Sequence, residues 1–150
     1  MRYIEGIRST IACVIIATLV GCNGNSLQTN EVSGTVLLEG TPLELIHVEF
    51  WPVGDGPRSI GKTDGTGKFI LELDDRSKKG AAVGTHKVML RDTWPMKDNV
   101  LSQSGEWIDN SKGKKARISS KYYDVSTSPL EYEVKTGPSN HFEIQVQPRK

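Results

Sequence analysis

An all-β, seven-stranded sandwich is the fold class this sequence predicts, and three observations predict it. Apolar and polar residues alternate with a period of two in short runs along most of the chain. Between those runs, at spacings of roughly 8–12 residues, stand Gly, Pro, Asn and Asp in combinations that make turns. No stretch keeps the periodicity of an amphipathic helix over a useful length, although Ser119 to Tyr123 has room for one turn. A chain of 150 residues buries roughly two-thirds of its unfolded surface, enough for a two-layer core without disulfide staples.

The N-terminus departs from this pattern. Arg2 and Arg8 form a positive region, partly offset by Glu5, and Ile11 to Val20 is an apolar run too short to span a bilayer comfortably. The run ends in Leu19-Val20-Gly21-Cys22, which resembles the bacterial lipobox. That resemblance implies that residues 1–21 are a lipoprotein signal peptide, with cleavage before Cys22 and lipidation of Cys22. Residues 22–30 are then a lipidated tether, because Asn23 to Asn30 is polar and aperiodic. Each buried methylene contributes about 0.8 kcal/mol, so two or three acyl chains make attachment effectively permanent. The expected partner is a bacterial membrane, met through the N-terminal lipid, and the expected address is its periplasmic side or the cell surface.

Cysteine count and charge narrow the function further. The cysteines are Cys13 and Cys22. With residues 1–21 removed, no disulfide framework remains and no thiol is left for catalysis or a metal. The same removal takes away Arg2, Arg8 and Glu5, leaving acidic and basic side chains in equal number. That balance argues against nucleic acid as a partner.

The strands follow in order. Val32 to Leu38 is the first, and Glu39-Gly40-Thr41-Pro42 turns after it, with Pro kept out of the ladder. In Ile46 to Trp51, Ile46, Val48 and Phe50 face one way and His47, Glu49 and Trp51 the other. A Pro- and Gly-rich loop, Pro52 to Pro57, leads to a central hairpin over Ile60 to Leu73. Lys62-Thr63 closes its first strand, Asp64-Gly65-Thr66-Gly67 turns, and Lys68 to Leu73 returns. The Asp-Gly pair favours a tight turn, since Gly accepts positive φ and Asp hydrogen-bonds its own backbone. On the returning strand Phe69, Leu71 and Leu73 alternate with Lys68, Ile70 and Glu72. Gly84 to Arg91 is the next strand, with His86, Val88 and Leu90 of one parity. The final pair, Leu130 to Val134 and Phe142 to Val146, is joined through residues 135–140. The predicted core is Val36, Val48, Phe50, Phe69, Leu71, Val88, Leu90, Phe142 and Ile144.

Five of these segments together resemble a known family. Gly34 to Val36, Gly40 to Leu43, Val48 to Phe50, Thr63 to Phe69 and Gly84 to Val88 are similar to the motifs of carboxypeptidase regulatory-like domains. The resemblance covers residues 31–147 and implies a transthyretin-like (prealbumin-like, Ig-like) β-sandwich. Its motifs are turns and core positions, and domains of this kind serve as folding, spacing or binding modules without catalysis. The expectation is therefore no enzyme and no cofactor.

The residues themselves point the same way. His47 and His141 fall on polar parity, His86 at the rim of the core, and none has a neighbour at metal-ligand spacing. Asp55, Asp64, Asp74 and Asp75 lack the calcium-loop pattern, and no G-x-S-x-G nucleophile elbow occurs. No catalytic and no metal-ligating residue is assigned. The informative stretch is the insertion from Thr93 to Arg117, long for a connection between strands. It carries Trp94, Met96 and Trp107, and then the basic run Lys112, Lys114, Lys115, Arg117. Tryptophan among polar residues is a common recognition anchor. Trp94, Trp107 and the four basic residues are accordingly the candidate binding residues. Two functions follow: a non-enzymatic lipid-anchored envelope protein acting as structural or interaction module, or a lipoprotein binding carbohydrate or envelope polymer through its loop tryptophans.

Overall fold

The computed structural model describes residues 27–138 and 140–150; residues 1–21, expected to be a signal peptide, and Cys22 lie outside the described residues. Among the described residues thirteen strands follow one another and there is no α-helix. In the first half these are β1 (Thr29–Asn30), β2 (Val32–Leu38), β3 (Thr41–Pro42), β4 (Ile46–Pro52), β5 (Ser59–Lys62), β6 (Lys68–Ile70) and β7 (Glu72–Leu73). In the second half they are β8 (Ala81–Ala82), β9 (Gly84–Asp92), β10 (Val100–Leu101), β11 (Trp107–Ile108), β12 (Glu131–Val134) and β13 (Asn140–Val146). Single 3-10 turns occupy Trp94–Met96 and Ser120–Tyr122.

The larger sheet runs β12-β9-β4-β5-β7 and is antiparallel throughout. The other is built on β2, which pairs with β13 on one side and with β3 and β6 on the other. Both sheets send side chains into one core. Val32, Val36 and Ile144 come from the second sheet; Ile46, Val48, Phe50, Val88 and Leu90 come from the first. Period-two alternation is therefore read correctly: Val36, Val48, Phe50, Leu71, Val88, Leu90 and Ile144 are fully buried and Phe69 nearly so. Phe142 differs. It sits on β13 at the sheet's edge, half-buried, with its ring centroid 4.9 Å from Tyr132 and 5.8 Å from Phe50. Ile144 on the same strand is fully buried, so Phe142, nearer the strand's start, closes the rim of the core against Tyr132.

Two pairings differ from expectation. The Asp64 turn forms as expected, with Asp64 Oδ1 accepting the amides of Thr66 (2.8 Å) and Lys68 (3.1 Å). Its flanking strands keep one register, since Asp64 N–H donates to the Lys68 carbonyl and Ile60 lies opposite Glu72. Between those points the hairpin is open, because Lys68–Ile70 leaves β5 and pairs with Thr35, Gly34 and Ser33 of β2. The chain thus switches sheets at Leu71. Glycine makes the switch possible: a Cβ on Gly61 would lie 2.7 Å from the Ile70 carbonyl, and one on Gly34 would lie 2.6 Å from the Phe69 ring. The second difference is at the C-terminus. β12 and β13 are not partners; β12 lies on β9, and β13 runs parallel to β2. Asn30 and Asn140 hold the connection across the two sheets, Asn30 Nδ2 donating to the Lys135 and Gly137 carbonyls (2.7 and 2.9 Å) and Asn140 Oδ1 accepting from Lys135 N–H (2.9 Å).

The sandwich-like body has two distinguishable ends. At one, β1 pairs with β8, and Val53 N–H donates to the Thr85 carbonyl. At the other, Ile46 lies opposite Asp92 and Thr93 N–H donates to the Leu45 carbonyl. The nine residues of β9 separate the two by about 30 Å. Leu27 enters at the first end and the insertion leaves from the second.

Candidate functional site

A single carboxylate fastens both ends of the insertion. Asp92 closes β9 and is buried. Its Oδ1 accepts from the Trp94 amide (3.0 Å) and from Arg117 Nη2 (2.7 Å), and its Oδ2 from the Arg117 amide (2.6 Å) and Arg117 Nε (3.0 Å). Arg117 Nη2 also donates to the Glu44 carbonyl (2.6 Å), and Thr93 Oγ1 donates to the Leu45 carbonyl (2.6 Å). A buried carboxylate is costly unless its lone pairs are filled, and this one is filled from the two ends of the insertion. The guanidinium then lies over the half-buried Trp94 ring at 5.6 Å, with the Lys97 ammonium 5.2 Å from the same ring.

Beyond the clamp the insertion is structured, where the sequence suggested a long irregular loop. Val100 pairs with Ile108 and Leu101 with Trp107. The connecting turn is polar: Ser102 N–H donates to the Glu106 carbonyl (2.8 Å), and Gly105 adopts φ +85°, which the missing Cβ permits. The hairpin base is tied by Asn110, whose N–H donates to Asn99 Oδ1 (2.8 Å) and whose Nδ2 donates to the Asp98 carbonyl (2.9 Å). Lys114 pairs with the Asp98 carboxylate, and that hydrogen bond holds the Asp98 carboxyl below its ordinary range.

What the insertion presents is apolar. Met96 is 48% exposed, Val100 49%, Leu101 58%, Trp107 73% and Ile108 47%. Only Val53 and Ile70 join them as exposed large hydrophobics among the described residues. Successive strand residues face opposite ways, so Val100 and Ile108 share one face of the ribbon and Leu101 and Trp107 the other. Scattered exposed apolar residues need no explanation, but five of the exposed large hydrophobics among the described residues fall between Met96 and Ile108, which makes this segment the candidate contact region.

The expected binding residues therefore divide. Trp107 stands free on the hairpin, while Trp94 is held at its base beneath two cations, and the two indoles do not form an aromatic pair among the described residues. Arg117 and Lys114 are committed to Asp92 and Asp98. Lys112 and Lys115 are exposed and take no ion pair among the described residues. The basic run is two structural cations and two free ones. Cys22, the expected lipidation residue, lies outside the described residues.

Sequence reasoning missed a second buried carboxylate. Glu49 has outward parity yet is 4% exposed. Its Oε2 accepts from Arg58 Nη1 (2.8 Å) and Trp51 Nε1 (3.0 Å), and its Oε1 lies 3.2 Å from His47 Nε2. Arg58 covers it, stacked 5.1 Å over the Trp51 ring and bound to Asp74, a hydrogen bond that leads in raising the guanidinium pKa. Parity cannot signal this cover, which comes from a loop residue. Ser33 Oγ and His141 Nδ1 meet at 3.1 Å, but the two are exposed cross-strand neighbours with no carboxylate behind them among the described residues. His86 is fully buried, deeper than the rim position its parity suggested. A scan against protein-family models, a search of curated proteins and a search of solved structures each found no match to this chain.

Proposed function

We propose that this protein is a non-enzymatic interaction module of the bacterial cell envelope, exported by its residues 1–21 and held to a membrane by lipid on Cys22. In this reading residues 31–147 form a transthyretin-like, carboxypeptidase regulatory-like β-sandwich that serves as a scaffold, and the hairpin within Thr93 to Arg117 makes the contact. The observation that carries it is the cluster of exposed apolar side chains on that hairpin, Trp107 foremost. The layout of the ends supports it. A tether from Cys22 to Thr29 reaches at most about 25 Å, so an upright body presents the hairpin about 30 Å or more beyond the anchored end. Trp107 and its apolar neighbours then face a protein surface rather than the anchoring lipid.

The reading that the loop tryptophans bind a carbohydrate polymer as a pair finds less support, because Trp94 is engaged beneath Arg117 and Lys97. Two variants of the full chain test the proposal. Cys22→Ala should release the protein from the membrane fraction or leave an unprocessed precursor, and an unmodified mature N-terminus other than Cys22 by mass spectrometry contradicts the anchor. Replacing Val100 to Ile108 by a short Gly-Ser link should leave the chain folded and anchored but reduce its detergent-extracted complex to the monomer. A complex of unchanged size contradicts the contact.

A further inference from the structure

A trough lies along the side of the body where the chain switches sheets, and it is separate from the insertion. Three adjoining depressions of about 540, 460 and 260 Å³ all include Ile70. Lys62 joins the first to the second, and Lys79 the second to the third. Ile70 is 70% exposed, an isoleucine on the outward parity of β6. Around it stand Lys62, Lys68, Arg76 and Lys79. Among the described residues the three lysines make no ion pair, and Arg76 reaches Glu72 only at 3.7 Å.

The acids of the trough are better occupied than its cations. Asp64 spends its Oδ1 on the turn, accepting from the Thr66 amide, the Thr66 hydroxyl (2.7 Å) and the Lys68 amide. Those bonds, led by the Thr66 hydroxyl, hold its carboxyl below the ordinary range. Glu72 faces Arg76, and Glu31 at one end is left without a cation among the described residues. These carboxylates remain charged, so the four cations outnumber Asp64, Glu72 and Glu31 by one along the trough, while charges more than about 10 Å away are screened at ordinary salt.

We propose that this trough binds a linear polyanion, a polymer carrying phosphate or carboxylate groups along a chain. The cations are spread along an open groove rather than gathered on one point, so a single compact anion meets one or two of them and an extended chain meets all. Ile70, standing between them, suits the uncharged backbone that separates successive anionic groups. The inference is independent of the hairpin contact.

The test uses the purified full chain in non-ionic detergent. Its probes are polyphosphate, polygalacturonate, neutral dextran and an oligo-dT strand. Expected is binding of polyphosphate or polygalacturonate, weakening about tenfold between about 50 and 200 mM salt, with none to dextran; whichever polymer binds more tightly identifies the anionic group. The triple variant Lys62→Gln/Lys68→Gln/Lys79→Gln should lose at least about tenfold in affinity with an unchanged unfolding midpoint, since all three side chains are exposed or rim the trough. Lys112→Gln/Lys115→Gln, which alters the same kind of charge on the insertion, should bind as the parent does. Failure of both polymers to bind, equal loss in the two variants, or no loss in the triple variant overturns the proposal. Tighter binding of oligo-dT than of either polymer also overturns it.

Discussion

Leu90 and Leu101 stand a short way apart in the chain, both in strands, both among alternating neighbours, and they meet opposite fates. Leu90, on β9, is fully buried between the sheets, whereas Leu101, on β10, is 58% exposed. The difference lies in what faces each strand. β9 has β4 and β12 at its flanks and the β2 sheet across the core. Among the described residues β10 pairs with β11 alone, and a two-stranded ribbon has no second layer to bury its apolar side chains. An isolated hairpin of this length is marginal in water, so its stability comes from the Asn99–Asn110 tie and the Asp92 clamp rather than from burial. Apolar side chains that do not hold the fold together are available to something outside it.

The comparison is broken most severely by truncating the core. Phe69 is 2% exposed and packs against Phe50, the ring centroids 6.4 Å apart. Phe69→Ala should cost roughly 3–5 kcal/mol, read as a lower denaturant midpoint. Next in size is the junction between the two regions. Asp92→Ala strands Arg117 and two amides, and should cost about 3 kcal/mol while raising hydrogen exchange throughout Thr93 to Arg117. A loss of global stability without added exchange in the insertion would show that Asp92 serves the sheet and not the clamp.

A smaller effect comes from His86. The Gly84 carbonyl accepts from its Nδ1 at 3.0 Å, and its Nε2 is buried without a partner among the described residues. Burial outweighs that hydrogen bond and holds the imidazole below its ordinary pKa. The unfolded chain therefore takes up this proton first. As pH falls below about 6.5 the folded state should lose stability, by up to about 1.4 kcal/mol per pH unit, until the folded imidazole itself titrates. His86→Phe should flatten this part of the stability–pH curve; an unchanged slope would assign it to other groups. Smallest of all is Trp107→Ala, which should cost no more than about 0.5 kcal/mol of stability, despite removing the largest side chain there is. A cost comparable to that of Phe69→Ala would mean that the hairpin belongs to the core.

The body was legible in the sequence because alternation has a physical cause that acts locally. Val48, Phe50, Val88 and Leu90 could be placed inward by parity alone. What parity could not reveal was partnership. The open hairpin at Leu71 and the parallel pairing of β13 with β2 depend on which distant strand competes for each edge. The close approaches at Gly34 and Gly61 become visible only once those strands meet. In the insertion, Trp107 was legible as a candidate because an indole among polar residues is conspicuous. Trp94 and Arg117 looked equivalent to it, and Asp92, at the last position of β9, carried no mark of its role as the clamp. Ile70 was visible as an apolar residue on the polar parity of its strand, but the lysines around it come from separate turns and strands.

Photocrosslinking in intact cells tests most directly whether the exposed hairpin is a contact surface. A photoreactive amino acid replaces Trp107 in one strain and Gln145, an exposed residue on the edge strand β13, in another. The account predicts a protein adduct of discrete mass from position 107 that disappears when Leu101→Asp is added, and no such adduct from position 145. The absence of any adduct at 107, or the same adduct from both positions, would contradict it.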